Sequence, residues 1–307
     1  MNTLEIPEKD IKLEIPSHWD EMSEEQRNYC LKQAIWASFG IISVDEARVR
    51  CLYFLLEIKR DWASIAKDRI LGQDRVLDKY SRIYVLCDEL ITFLFKSNDS
   101  GLLEINYDTV YNYYPVFQTK KATLHGPDHL LADISFGEFR AAIEYMNEYF
   151  ESKEELTLCK MIACLYRPER DNFQQVSKHE NFDGLRRQPF NRNKVHENAL
   201  LVKNISSIHK TVILLWFTYC IQYIQSEDLT LGGSTVNFRI LFPKSKSEDT
   251  SSKKSGGDWI YVLHGIAKEG PFGDLEKTDK VGLFDILLYM EDMKRTMDKQ
   301  KAKTKRK

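Results

Sequence analysis

The chain of 307 residues has little of what would assign a sequence to a specialised class of protein. Its formal net charge is only −2, so no global electrostatic field steers it toward nucleic acid or a membrane. It has six cysteines and no Cys-x-x-Cys pair, which disfavours a zinc ribbon or a redox motif.

Long hydrophobic runs and leader signals are also missing. The most apolar stretch, residues 211–224, is bounded by Lys210 and Glu227 and is shorter than the roughly 20 residues of a spanning helix. It therefore predicts the buried central helix of a large domain. The first residues lack a basic segment followed by an apolar one, which predicts no signal peptide. Together with cysteines in apolar segments, this predicts a cytoplasmic protein with buried, reduced thiols.

Familiar catalytic motifs do not occur either. The sequence has no phosphate-binding Gly-x-x-x-x-Gly-Lys, no His-Glu-x-x-His and no Gly-x-Ser-x-Gly. His125 and His129 have the i, i+4 spacing of a metal-binding helix face, but Gly126-Pro127 between them disfavours a helix and no third ligand is nearby. Residues 232–235 indicate a turn, because they lack the lysine of a phosphate-binding loop. We therefore predict no metal, no cofactor and no enzymatic activity.

What is present is a helical pattern. Hydrophobic residues make up 43% of the chain and aromatic residues 12%, which predicts a folded core. Three Ser-x-x-Glu/Gln patterns at Ser23, Ser43 and Ser135 predict capping boxes, each followed by apolar residues at helical spacing. Alternation from Val236 to Phe242 predicts a short strand. We expect a mainly α, multi-helix globular protein with a small β element and long loops.

Breaks in the pattern predict three parts. Residues 1–98 form an N-terminal helical unit with an extended lead-in, and 99–132 form a Tyr-rich connecting segment. Residues 133–307 form a C-terminal helical unit. This last unit includes a Ser/Lys-rich disordered linker at 244–257 and a basic tail at 294–307.

Two stretches are candidates for binding a partner. The polar stretch 167–194 combines arginine with phenylalanine, which is typical of single-stranded nucleic-acid binding and equally of protein interfaces. Acidic residues in the same stretch dilute its positive charge, which favours the protein interface. The Tyr-rich segment is the other candidate. The predicted partner-binding residues are Tyr111, Tyr113, Tyr114, Arg167, Arg170, Phe182, Arg186, Arg187 and Phe190.

The sequence leaves open two interpretations of the basic tail. Eight basic residues and one acid, Asp298, lie between Lys294 and Lys307. They are compatible with a solvated helix end that complements the helix dipole. They are equally compatible with an electrostatic hook for nucleic acid or an acidic partner.

Four segments carry a resemblance to a family. They resemble segments of Bacteroidetes phage and prophage proteins that are encoded among virion-assembly genes. The segments are the opening at residues 15–26 (Ile-Pro-Ser-His-Trp-Asp-Glu-Met-Ser-Glu-Glu-Gln), the helix start at 134–139, the helix end at 158–168 (…Leu-Tyr-Arg-Pro) and the pattern at 259–273 with 281–288. The resemblance covers about half of the chain and brings no catalytic residues with it.

The resemblance implies a non-enzymatic protein that contacts other phage structural proteins, in the manner of a tail assembly chaperone beside a tape-measure protein. Such a protein would act in the cytoplasm of the bacterial host. The alternatives are a structural subunit retained in the virion and a nucleic-acid-binding protein that uses the Arg/Phe stretch and the basic tail. No membrane partner is implied.

Overall fold

The computed structural model describes residues 1–6, 10–58, 73–97, 101, 103–180, 182–242 and 258–304. Helices dominate these residues, and the strands form small antiparallel sheets of two or three, which confirms the predicted fold class. The chain divides into two compact units, Met1–Thr109 and Val110–Lys307. The division falls inside the predicted Tyr-rich segment, and the predicted linker 244–257 lies outside the described residues.

Within its described residues, the first unit has three α-helices and two antiparallel strand pairs, one near either end of its sequence. Its elements are β1 (Asn2–Ile6), β2 (Ile11–Ile15), α1 (Glu24–Ser38), α2 (Val44–Leu55), α3 (Gln73–Leu90), β3 (Phe95–Ser97) and β4 (Leu103–Ile105). The pairs β1–β2 and β3–β4 are antiparallel, and α2 packs on both α1 and α3.

The lead-in to α1 is anchored by a buried tryptophan. The indole N–H of Trp19 donates to the carbonyl oxygen of Asn106 at 2.9 Å, and the ring packs edge-on against Tyr107 at 5.0 Å between centroids. The capping box predicted at Ser23 is present, because the Ser23 hydroxyl accepts from the backbone of Gln26 and the Gln26 side chain accepts from Ser23. Local sequence and one distant contact therefore set where this helix begins.

Within its described residues, the second unit packs seven helices together and has one further helix of a single turn. Its helices are α4 (Phe136–Ser152), α5 (Glu155–Leu165), α6 (Phe173–Val176), α7 (Val195–Val202), α8 (Ser207–Ser226), α9 (Asp258–Glu269), α10 (Leu275–Lys280) and α11 (Leu283–Thr304), of which α6 is a single turn outside that group. Its strands are β5 (Val116–Gln118), β6 (Thr123–His125), β7 (Arg167–Pro168), β8 (Leu229–Leu231) and β9 (Ser234–Val236), arranged as the antiparallel sheets β5–β6–β7 and β8–β9.

The core of this unit lies around α5, which packs against α4, α7 and α8. The apolar stretch 211–224 lies within α8, and its inward residues Val212, Trp216, Phe217 and Cys220 are buried, as predicted for a core helix. Among the described residues, no helix is both long and apolar enough to cross a membrane. All six cysteines are buried free thiols.

One local prediction is wrong. The alternating residues after Val236 do not continue as a strand, because β9 ends there and a 3-10 turn spans Arg239–Leu241. Phe238 is fully buried, with its ring stacked 6.4 Å from that of Phe284. Packing against α11 therefore overrides the β-pattern. The predicted turn at Gly232-Gly233 is present, and both glycines have positive φ angles.

Candidate functional site

A polar cleft in the second unit brings together several residues that the sequence singles out. It has a volume of about 260 Å³ and lies where β5 and β6 meet the loop before α7. Polar and apolar residues both line it. The polar ones are Asn112, His125, Asp128, His129, Asp133, Arg186 and Arg187.

Asn112 connects several segments of the cleft wall by hydrogen bonds. Its side-chain amide donates to the carbonyl oxygen of Pro127 at 2.8 Å, and its side-chain oxygen accepts from the hydroxyl of Tyr166 and the backbone N–H of Tyr114, each at 3.1 Å. Gly126 lies so close to Tyr166 that a Cβ there would be 2.2 Å from its ring. A glycine is thus required beside the buried tyrosine because the backbone and ring are in direct contact.

The two histidines of the cleft have different environments. The Nδ1 of His129 accepts from the backbone N–H of Asn112 at 3.0 Å, which places the ring proton of the neutral form on Nε2. His125 is buried, and its Nε2 has no hydrogen-bond partner among the described residues. Burial lowers the pKa of His125, and the charge of Arg186 lowers it further. The environment of the cleft wall therefore favours the neutral form of His125.

A buried ion-pair network lies behind the cleft. Glu138 receives the guanidinium of Arg167 at 2.6 Å on one carboxylate oxygen and that of Arg187 at 3.4 Å on the other. Arg187 also pairs with the carboxylate of Asp133 and donates to its carbonyl oxygen at 2.8 Å. Arg167 donates to the carbonyl oxygens of Gln188, at 2.7 Å, and of Cys164. Two carboxylates thus balance two guanidinium groups, and all of these side chains are buried except that of Asp133, which is 28% exposed.

This network changes the predicted role of Glu138. The hydroxyl of Ser135 caps α4 by accepting from the backbone of Glu138. The side chain of Glu138, which the capping box would direct back to Ser135, instead binds the two arginines. Binding the two buried guanidinium groups is favoured over binding the backbone N–H of Ser135. A guanidinium left buried and unpaired would cost far more free energy than that N–H without the Glu138 side chain.

The predicted partner-binding residues differ in exposure. Arg167 and Arg187 are 1% and 2% exposed, so they lie inside the protein and not on the predicted contact surface. Tyr111, at 44%, and Arg186 are exposed. The others are half-buried: Tyr113, Tyr114, Arg170, Phe182 and Phe190.

The Arg/Phe stretch packs mainly on itself. The guanidinium groups of Arg167, Arg170 and Arg186 lie 5.7, 5.8 and 5.1 Å from the ring centres of Phe190, Phe182 and Phe173. Each arginine of the stretch also pairs with a carboxylate; the remaining pairs are Arg170–Asp183, Arg186–Glu169 and Arg192–Glu144. The positive charge of the stretch is therefore largely neutralised within the protein.

Replacing His125 by glutamine is expected to reduce the loss of stability on acidification. The folded pKa of His125 lies below its ordinary value of 6.5, so its neutral form stabilises the fold above pH 6.5. That contribution is lost as the pH falls toward the folded pKa, because the unfolded chain binds the proton first. Urea unfolding at pH 7.5 and 5.5 measures the difference.

The matched control is His179→Gln, since His179 is exposed. The control should lose as much stability between the two pH values as the unmodified chain. Some acid sensitivity should persist in the His125 variant, because burial also lowers the pKa of His209. An unchanged pH dependence in the His125 variant would contradict the assignment.

The cleft contains potential metal ligands, but their arrangement differs from a metal site. Within the described part of the chain, no three or more His, Cys, Asp and Glu side chains are grouped to hold a metal ion. Asp128 accepts from the backbone of His129 at 2.7 Å, and the Asp133 carboxylate accepts from the backbone of Asp128 at 2.8 Å. These carboxylates hold the loop in place.

No family model, characterised protein or solved structure matches this chain significantly.

Sequence reasoning missed three residues that build this site. No sequence motif or periodicity around Asn112 indicates a functional role. Asp133 is marked only by its position shortly before a helix. Glu138 was assigned only a capping role. The pairing of Arg167 with Glu138 joins residues 29 positions apart, which no local pattern connects.

Proposed function

We propose that this chain is a non-enzymatic phage or prophage protein that binds other virion proteins during assembly of the particle, most specifically of its tail. The four segments that resemble phage and prophage proteins supply the biological setting. The polar cleft and the residues at its mouth supply a surface for the contact.

The observation that carries the proposal is the composition of the cleft mouth, the exposed residues that line the cleft or pack on a residue that lines it. Tyr111 is 44% exposed, and its ring packs edge-on against His129 at 5.0 Å between centroids. Val116 is 46% exposed, and the side chain of Arg186 is 56% exposed. Tyrosine and arginine are enriched where proteins bind each other, and both are common among the residues that dominate binding energy.

The buried network supports a structural role for the remaining charged groups. Arg187 donates to Glu138 and to both the carboxylate and the carbonyl oxygen of Asp133. The rim side chains are also held by contacts, since Tyr111 packs on His129 and Arg186 pairs with Glu169. Side chains that are already held suit a docking surface, because they lose little conformational freedom on binding.

Co-expression with the tape-measure protein of the same phage genome tests the proposal. We expect the two proteins to co-purify as a soluble complex. The double variant Tyr111→Ala/Arg186→Ala should weaken that complex by about tenfold or more, as expected for residues at the centre of an interface.

The control is Tyr84→Ala/Arg82→Ala in the first unit, which removes an exposed tyrosine and an exposed arginine from α3. This variant should retain full binding. Failure of the unmodified chain to bind any virion protein would contradict the proposed function. Mass spectrometry of purified particles then separates a transient helper, absent from them, from a structural subunit.

A further inference from the structure

A second surface of the second unit is a narrow apolar groove between α9 and α11. It has a volume of about 270 Å³. Val262, Gly265 and Ile266 line it from α9, and Leu241 lies at its edge. From α11 it is lined mainly by Met290, Met293 and Met297.

The methionines form one continuous face of α11. Their spacing of three and four residues places them on the same side of the helix. Met290 and Met293 are half-buried, and Met297 is 46% exposed. Methionine is flexible and polarizable, so a methionine-lined groove adapts to the apolar face of a partner helix.

Gly265 provides an independent indication that something enters the groove. It lies in the interior of α9, where glycine weakens a helix relative to alanine. Its φ angle is not positive, and a Cβ built at this position would meet no described residue within 4 Å. The described part of the fold therefore gives no reason for a glycine here. Its missing side chain leaves space for a side chain from outside.

The charges beyond the end of the groove indicate the chemistry of the occupant. The groove itself is lined by one base, Lys294, which lies 3.9 Å from Asp298, and by one acid, Glu269, which accepts from the Tyr289 hydroxyl. Beyond Met297, the α11 residues Lys299, Lys301 and Lys303 have no ion-pair partner in the part of the chain that the structure describes. An acidic partner would supply the missing counter-charges.

The composition of the chain's own Ser/Lys-rich segment does not match this occupant. Residues 243–257 contain no large apolar side chain and carry more lysines than acids. They have neither the surface to fill a methionine-lined groove nor the charge to neutralise its basic end.

We propose that the α9–α11 groove binds an amphipathic helix of another protein, with an apolar face against the methionines and acidic residues beside the lysines. This inference rests on the proposed function for the nature of the partner, a virion protein. It adds the binding mode and the chemical class of the segment recognised.

A synthetic peptide tests the groove without any virion protein. The probe is a fluorescein-labelled helix of roughly 18 residues, long enough to be helical, with leucines on one face and glutamates flanking them. Fluorescence anisotropy with the full chain should show salt-sensitive binding. A matched peptide with lysine in place of glutamate should bind at least about tenfold more weakly.

Gly265→Leu should fill the groove and weaken binding of the acidic peptide by about tenfold or more. His264→Leu adds the same side chain to an exposed neighbouring position on α9 that does not line the groove, and it should leave binding unchanged. Met293→Lys is a second variant that should abolish binding by a different route.

Equal binding of the peptide to Gly265→Leu and to the unmodified chain would overturn the inference. So would equal binding of the acidic and basic peptides, or displacement of the acidic peptide by an oligonucleotide. A dimer that Gly265→Leu dissociates would also overturn it, since the occupant would then be a second copy. These outcomes are independent of whether a virion protein co-purifies with the chain, so the two proposals fail separately.

Discussion

Replacing Glu138 by glutamine is expected to destabilise the second unit by about 3–5 kcal/mol, the usual cost of removing one partner from a buried ion pair. The variant would leave Arg167 and Arg187 buried with only Asp133 to neutralise them. The free energy of unfolding from urea denaturation, with hydrogen exchange of the α5 amides to localise the loss, measures the effect.

Glu144→Gln is the matched control, because Glu144 lies on the same helix and also pairs with an arginine. Its partner Arg192 lies at 2.6 Å, but the two side chains are 45% and 46% exposed. Exposed pairs contribute only about 0.2–1 kcal/mol, since water screens both charges. A similar loss in the two variants would mean that Glu138 is not as desolvated as the structure shows.

Replacing Phe217 by alanine is expected to cost about 3–5 kcal/mol of unfolding free energy, as for other buried phenylalanines. Phe217 is fully buried in α8, and its ring packs edge-on against Phe139 at 6.3 Å between centroids. The variant would leave a cavity in the centre of the unit, where the surrounding helices cannot collapse completely. Urea denaturation and thermal unfolding measure the loss.

Phe150→Ala provides the comparison on the surface. Phe150 is 44% exposed on α4, with the ammonium of Lys153 lying 5.2 Å from its ring centre. Its loss should fall within about 0.5 kcal/mol, as for most surface substitutions. If Phe217→Ala were equally mild, α8 would not be the core helix that its burial indicates.

The helical architecture is the part that local patterns predicted well. Ser23, Ser43 and Ser135 each cap a helix where the sequence placed one. The apolar stretch 211–224 is a buried helix because its residues are apolar on nearly every face and it lies among other helices. These features depend on residues a few positions apart, and such interactions can be read directly from sequence.

The surface assignments were harder to predict. Arginine beside phenylalanine indicated an interface, yet the same side chains also suit internal pairing, and Arg167 and Arg187 are buried. The methionine face of α11 could have been noticed from its spacing of three and four residues. The exposure of this face could not be predicted from the sequence, because it depends on where α9 lies in the fold.

By itself, the sequence determined where the helices begin, which faces are apolar and that the protein is mainly α, because these properties depend on capping groups and on periodicity within a few turns. Only the tertiary structure decided that Glu138 serves two arginines instead of its own helix cap. Only the tertiary structure places α9 and α11 so that a groove lies over Gly265. The reason is physical: Arg187 meets Glu138 across 49 residues of chain, and a helix face is buried or open according to which distant element packs against it.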